Sequence, residues 1–553
     1  MKRILVLGGY GTFGGRIAER TAAAGFEVLV AGRSLAKARA FCRGRDAMLP
    51  VEVDLAAGVS GVLAEYRPWA VVDAAGPFQG ADHSVARAAI AAGCHYLDIA
   101  DGRDFVTGMR QLDEAAKQAG VSVISGASSV PALSGAVVRR LAKGLDPIRV
   151  VDMALSASSR GTAGRSVTTA IMSYVGRKVR LRGHGRWTDE YGWQSLRRCS
   201  FAVPGVAPLR GRLVALADVP DLQLLPERLP GTPAVTFRAG TDVGFHNIGL
   251  WLLSWAVRLG WLSRTERLAG FLSSLQNRTR RLGSLRSGME VRLFGFAGTR
   301  RVERRWTLIA EAGEGPEIPS LTVPILLEKI RDGLVPPGAG DAGPLLGLDD
   351  FAPALGGIAA RQGFEEVDHG EPLYARAMGP AFDRLPASVR EMHRVFRDGG
   401  ASGRATVRRG KGLVARLAAA VMGFPPTGEH ALQVSFRERG GTERWTRDFS
   451  GHRFSSRLSL RWGRLEERFG PLRFAFDLPS DAQGLEMRIV GWRFGPVPLP
   501  LALAPRSDAR EWEEDGCFQF DVPIHLPLVG LVVHYRGWLA GAEAKREPGA
   551  GAN

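Results

Sequence analysis

Cysteine is scarce in this 553-residue sequence: Cys42, Cys94, Cys199 and Cys517 are its only four, and they lie far apart. No CxxC pair and no histidine cluster at metal-ligand spacing goes with them, so neither a disulfide scaffold nor a metal site is supported, and they read as buried thiols. Long apolar runs are also lacking. The best candidate, Phe245 to Leu262, is broken by Arg258 and falls short of the roughly 20 residues needed to span a bilayer. Met1 to Gly9 commits to a strand and a glycine turn before a secretory h-region could form, so cytoplasmic residence is expected. No repeat of roughly 20 to 50 residues stands out. Acid is in deficit, 56 Asp and Glu against 73 Lys and Arg, a net charge of +17. Arginines concentrate at 177–186, 278–286, 300–305 and 404–416. No RNP-like aromatic motif or recognition helix accompanies them, which disfavours nucleic acid as a partner and leaves an anionic lipid surface as the better use of the charge.

Glycine, by contrast, is abundant and placed. A buried strand at 4–7 runs into Gly8-Gly9-Tyr10-Gly11-Thr12-Phe13-Gly14-Gly15, and Gly9, Gly11 and Gly14 hold GxGxxG spacing. That spacing permits a tight turn, lets backbone approach a pyrophosphate and packs helix on strand, while the amides at the helix start hold phosphate. Among 70 glycines a match can arise by chance, but this one has a strand before it, an alanine-rich helix after it, and a second strand at 27–31. That strand ends in Gly32-Arg33-Ser34 rather than in an acid. A cation and a hydroxyl suit the 2′-phosphate of NADP(H), whereas an Asp or Glu would suit NAD. The first of these is favoured, the other reading of Arg33 being a solvated loop arginine.

Strand and helix alternate to about residue 125, with strands at 4–7, 27–31, 51–53, 70–74, 96–99 and 121–125. The fold class expected is α/β: a Rossmann-type doubly wound parallel sheet, a mixed α/β second domain, and a C-terminal β-rich antiparallel domain. The domains expected are 1–127 for NADP binding, 128–360 for substrate and oligomerisation, a linker at 361–372, the β-rich domain at 373–541 and a disordered tail at 542–553. The Gly/Pro stretch 336–344 also reads as linker. In the second domain strands are expected at 150–157, 213–217, 232–237, 289–296 and 304–310, the last two antiparallel; in the third, short alternating strands run from 431 to 522 behind helices at 386–396 and 413–421.

These residues resemble the saccharopine-dehydrogenase-like NADP-binding family over roughly 1–360. The likeness rests on the glycine entry, on 71–78 (VVDAAGPF), on 91–100 (AAGCHYLDIA) and on 310–319 (AEAGEGPEIP). The family often has Asn where Asp73 stands. The last third resembles a bacterial domain of unknown function, marked by 445–449, 498–500 and 535–539. The resemblance implies an NADP(H) Rossmann domain and a second domain closing over substrate, in an oxidoreductase framework that need not perform the saccharopine reaction.

Ala75, Gly76, Pro77 and Phe78 follow the fourth strand, where they should flank ribose or nicotinamide. Asp54 can sit beside the adenine or simply cap a helix. Hydride transfer calls for a proton donor nearby, and His95, Tyr96, Asp98 and Asp101 are the candidates, each also readable as an ordinary core, strand or capping residue. Ser128 and Ser129 can contact substrate or cap the next helix. Phe245 to Leu262 reads either as an interfacial helix with Trp251, Trp255 and Trp261 at headgroup depth, or as a buried or homodimer-interface helix. The segment 413–424, with Arg408, Arg409, Lys411 and Arg416, presents the same pair of readings. The function expected is NADP(H)-dependent oxidoreduction of a carbonyl, imine or enoyl group on a hydrophobic or lipid-linked substrate held between the second and third domains. The alternative is a non-catalytic NADP-binding protein whose C-terminal domain binds lipid or a protein partner.

Overall fold

In the first domain, short apolar runs become strands buried on both faces. Arg3–Leu7, Glu27–Gly32, Met48–Glu52, Ala70–Asp73, His95–Asp98 and Ser122–Ser125 form one parallel sheet, and the first, second and fourth of these are near-continuous hydrophobic runs, as burial on both faces requires. The spatial order is sixth, fifth, fourth, first, second, third, so the order reverses beside the glycine loop. In an open sheet of this kind ligands bind at that reversal, outside the carboxyl ends of the strands. The computed structural model describes residues 1–161, 165–263 and 265–541. The tail read as disordered, 542–553, lies outside the described residues.

The two stretches read as linkers are strands. Gly338–Asp341 returns to the first sheet as a seventh parallel strand beside Ser122–Ser125. Ala360–Asp368 pairs antiparallel with Val302–Ala310 as the edge of the second sheet. Its polarity, which suggested a linker, is that of a solvated edge, and it meets a basic neighbour: Arg304–Glu366 at 2.7 Å, Arg305–Glu365 at 3.1 Å and Arg300–Asp368 at 2.5 Å.

The second sheet contains the expected strands as Ile148–Ala157, Val206–Leu216, Ala234–Thr241, Ser287–Ala297 and Arg300–Ala310, the last two antiparallel. An edge strand, Arg197–Val203, and a separate hairpin, Lys178–Gly183 with Arg186–Tyr191, complete the domain's β-structure. One core runs through both domains: Ile4 and Val28 belong to the same buried cluster as Val151, Met289 and Leu308.

The third domain is a ten-stranded antiparallel barrel. Its strands are Asp398–Arg409, Gly428–Arg439, Thr442–Phe449, His452–Arg461, Arg464–Phe469, Leu472–Asp477, Gly484–Phe494, Ala509–Glu514, Cys517–Leu526 and Gly530–Gly541. Pairing of Gly530–Gly541 with Asp398–Arg409, and of Leu472–Asp477 with Gly484–Phe494, closes the ring. Phe396 fastens it to the second domain, buried among Phe294, Phe296 and His369. His184 and Gly185 add a backbone seat: the His184 amide donates to Asp398 Oδ1 at 2.6 Å, and a Cβ on Gly185 would lie 2.6 Å from the Gly400 carbonyl oxygen.

Among the described residues no helix is long and apolar enough to cross a membrane. The segment tested for that role forms a helix over Gly244–Arg258, and its packing is inverted: Asn247 and Ser254 are buried, while Phe245, Ile248, Leu252 and Trp255 are exposed. Asn247 explains its own burial by donating to the Thr241 carbonyl at 2.8 Å and accepting from the Thr241 amide at 3.0 Å.

Candidate functional site

The glycine loop is built so that only glycine fits. A Cβ on Gly14 would lie 2.2 Å from the Gly8 carbonyl oxygen, one on Gly9 would lie 2.8 Å from that of Val6, and Gly8 itself sits at φ +70°. The helix Gly14–Ala23 that follows has no side-chain cap and no acid in its first turn. No side chain takes the amides at its start, which lie beside a cradle walled by glycine, an arrangement that fits a pyrophosphate.

Two neighbours read as coenzyme contacts brace this loop. The Tyr10 hydroxyl accepts from the Ser34 amide at 3.0 Å, and its ring lies over Gly32, where a Cβ would be 2.6 Å from it. Ser34 caps the next helix, its Oγ accepting from the Lys37 amide at 3.4 Å. Arg33 between them is exposed at the carboxyl end of the second strand. Asp54 also caps, accepting from the Ala56 amide at 3.1 Å. Ala75 to Phe78 lie past the fourth strand, where the buried Asp73 accepts from the Ala75 amide at 2.9 Å; burial pushes that carboxyl up to about 6.

The candidate acids separate by strand direction. His95 lies at the amino end of the fifth strand, on the opposite edge of the sheet from the glycine loop, so it is not a residue of the crevice. Its Nδ1 accepts from the Ser122 amide at 3.0 Å, and burial, with Lys2 nearby, lowers it to about 4. Tyr96 is fully buried inside the first domain; burial first, then the charges of Asp98 and Asp73, raise its phenol well above the ordinary value. Asp98 is a clamp: one oxygen accepts from the Ala100 amide at 2.9 Å, the Gly126 amide at 2.8 Å and Ser125 Oγ at 2.9 Å, tying together the loops after the fifth and sixth strands.

Asp101 differs. It lines a cleft of about 290 Å³ between the carboxyl ends of the first sheet and the face of the second. Phe13, Gly76, Pro77 and Phe78 form the side made by the loops of the first sheet; Leu155, Met289, Leu308 and Pro316 form the other, with Ser128 and Ser129 between. Among the described lining residues Asp101 is the one ionisable side chain. Gln79 Nε2 donates to it at 2.9 Å. The cleft walls surround the carboxyl and raise it above the ordinary range while leaving it reachable by solvent. Tyr174, which sequence reasoning missed, lies close enough that Asp101 and Asp218 add to burial in raising its phenol. The far wall was missed as well, because residues on alternating strands carry no motif. The cleft that the coenzyme loops reach thus lies between the first and second domains, not between the second and third, because the carboxyl ends of the first sheet face the second sheet.

The segment 310–319 completes the cleft. Glu317 receives Arg16 at 2.6 Å and Arg20 at 2.8 Å, drawing the second domain onto the first helix of the coenzyme domain, and Pro316, Ile318 and Pro319 line the cavity.

Sheet order, loop and crevice together define a nicotinamide-dinucleotide-binding domain joined to a mixed α/β domain and a barrel. Residues 4–124 match the family described as the saccharopine dehydrogenase NADP binding domain, and residues 385–539 match a domain of unknown function, DUF4166. Among solved structures, saccharopine dehydrogenase (L-Glu forming) from Saccharomyces cerevisiae is 14% identical, covering 66% of this chain and 100% of that one, with a TM-score of 0.45. An oxidoreductase from Sinorhizobium meliloti is 13% identical, covering 57% and 76%, with a TM-score of 0.28. Serine dehydrogenase from Escherichia coli is 17% identical, covering 22% and 80%, with a TM-score of 0.19. Among curated proteins none matches.

Proposed function

We propose that this chain is an NADP(H)-dependent oxidoreductase acting on a carbonyl, imine or enoyl group of a hydrophobic or lipid-linked substrate. The observation that carries this reading is the cleft: apolar on nearly every side, opening onto the coenzyme loops, with a single carboxyl in its described lining. Gly9, Gly11 and Gly14 would let the backbone approach the pyrophosphate, which the amides at the helix start would hold; Arg33 would meet the 2′-phosphate, and Gly76 to Phe78 the nicotinamide end. The bound coenzyme supplies or accepts the hydride. The chain's own part is to exclude water with Phe13, Phe78, Leu155 and Met289, and to exchange a proton at Asp101. A carboxyl raised by its surroundings holds a proton nearer neutral pH than an ordinary aspartate does, which suits a donor.

A lipid-linked substrate would approach from a membrane. Exposed Phe245, Leu252 and Trp255 on one helix and Phe271 on the next, with Arg278, Arg280 and Arg281 following, support that approach. The helix Arg165–Tyr174, whose Val167 and Ala170 line the cleft, packs against the second of these, Ala269–Thr279.

The test compares NADPH and NADH affinities for wild type and Arg33→Ala. A charge-assisted contact worth about 1.5–3 kcal/mol predicts a roughly 10- to 150-fold loss for NADPH and little change for NADH. Equal wild-type affinities would sink the NADP preference. The solitary carboxyl also favours one second reading, a non-catalytic NADP-binding protein; it would be preferred if NADPH went unconsumed across a panel of hydrophobic ketones, imines and enoyl thioesters.

A further inference from the structure

The barrel encloses a second cavity, of about 350 Å³, that takes no part in the coenzyme cleft. Its wall is aromatic and aliphatic: Phe449, Phe474, Phe476, Phe518, Phe520 and Tyr535 face into it. Eight-stranded barrels are wide enough to hold one small ligand, and ten strands are wider. The volume falls within the roughly 300–1,000 Å³ of small-molecule sites. Protein interiors otherwise close such voids, because unfilled apolar space forfeits packing.

The charged groups within are already matched. Arg447 donates to Ser456 Oγ at 3.0 Å and lies 3.6 Å from Glu467, while Glu511 receives His393 at 2.6 Å. Among the described lining residues no unpaired cation invites an acid to the interior. Cations gather instead at one end of the barrel, where the helix Leu413–Val421 connects two strands. Arg408, Lys411 and Arg416 are exposed there, and the helix's Ala418 and Val421, with Met422 just beyond it, line the cavity. Leu413, Leu417 and Leu528 form an exposed apolar fringe at the same end. Contacts with the second domain come chiefly from the other end, through Asp398, Gly400 and Glu438, so this mouth is free.

We propose that the barrel is a binding site for one long aliphatic chain of an anionic amphiphile, with the chain in the cavity and the anionic end at the Arg408, Lys411 and Arg416 rim. With Arg447 already paired, the interior draws no anionic head inward, and the rim supplies the attraction that the interior lacks. This goes beyond the oxidoreductase reading and does not depend on it, since no residue of the coenzyme cleft is involved.

The test is fluorescence titration of the full chain with cis-parinaric acid, displaced by palmitate, lysophosphatidylglycerol or hexadecanol. The expected result is saturable binding near one probe per chain, displaced by all three. Stronger displacement by palmitate marks a free carboxylate as the natural head; stronger displacement by lysophosphatidylglycerol marks a phosphate. Ala418→Trp, which fills the cavity beneath the mouth, should weaken the probe at least tenfold while leaving NADPH affinity unchanged. Lys411→Glu with Arg416→Glu, both on the surface, should weaken the two anionic displacers about fivefold or more and spare hexadecanol. Absence of saturable binding, or equal binding by wild type and a folded Ala418→Trp, would overturn the site. Equal weakening of acid and alcohol by the charge reversals would overturn the orientation.

Discussion

Asp98 sets a sharp test of how the crevice is held together. Burial pushes its carboxyl from 3.8 up to about 7; the amides of Gly126 and Ala100 and the Ser125 hydroxyl oppose that rise, and the neighbouring Asp73 adds to it. Asp73 lies in register with it on the adjacent strand and is itself raised, by burial, to about 6. A carboxyl whose folded value lies above its unfolded one binds a proton more tightly when folded. Its protonation therefore favours the fold fully below the unfolded value, and that contribution is lost as pH rises through the folded value, here from about 4 to about 7. The width of that pH window sets a ceiling of about 4 kcal/mol on the loss. Asp98→Asn keeps an oxygen for the three donors and removes the charge. Relative to wild type it should therefore gain stability as pH rises from about 5 to about 8, by some fraction of that ceiling. Asp98→Ala instead strands two buried amides, at about 1–3 kcal/mol each, and should be less stable than Asp98→Asn at every pH. Urea denaturation of the full chain, with hydrogen exchange of the 96–128 peptide assigning the transition to the first domain, measures both. A wild-type-to-Asn difference flat across pH would refute the account, since it would mean that Asp98 is ionised throughout or not buried as described.

Gly14→Ala places a methyl 2.2 Å from the Gly8 carbonyl oxygen, and overpacking of about 1–3 kcal/mol should appear both as a lower urea midpoint and as NADPH affinity reduced at least tenfold by fluorescence titration. Asp101→Asn should leave NADPH affinity within about twofold of wild type while lowering kcat by roughly 10² or more on whichever substrate is turned over; an unchanged kcat would remove Asp101 from the proton path.

The glycine loop was legible because its constraint is local. Gly9 to Gly14 must pass a carbonyl oxygen at van der Waals range, and few sequences other than this glycine pattern can do so. The cleft beyond the loop was not, because it depends on strand direction and on a second sheet. His95, Tyr96, Asp98 and Asp101 lie within seven positions of one another in the sequence, yet one is at the far edge of the sheet, two are in its interior and one lines the cleft. The barrel shows the same division. Alternation exposed most of its strands, but Asp398–Arg409, Ala509–Glu514 and Gly530–Gly541 were missed, the first because Gly399, Gly400 and Gly403 resemble a loop. Those glycines accommodate close backbones: a Cβ on Gly400 would be 2.1 Å from the His184 carbonyl oxygen, and one on Gly403 would be 1.9 Å from that of Trp538.

Net charge misleads for a related reason. The arginine run 300–305 suggested an anionic partner, but its members face Glu290 across one strand pair and Glu365, Glu366 and Asp368 across the other, and Arg301 meets Glu438 of the barrel at 3.4 Å. These arginines bind the second sheet to its own edge and to the third domain. What bears on a partner is the charge left after such pairing, and pairing is a property of strand register that no residue count contains. At the barrel mouth, Arg408, Lys411 and Arg416 are exposed beside an apolar fringe rather than opposite a ladder of carboxylates. Three cations so placed are a stronger argument for an anionic ligand than the +17 of the whole chain.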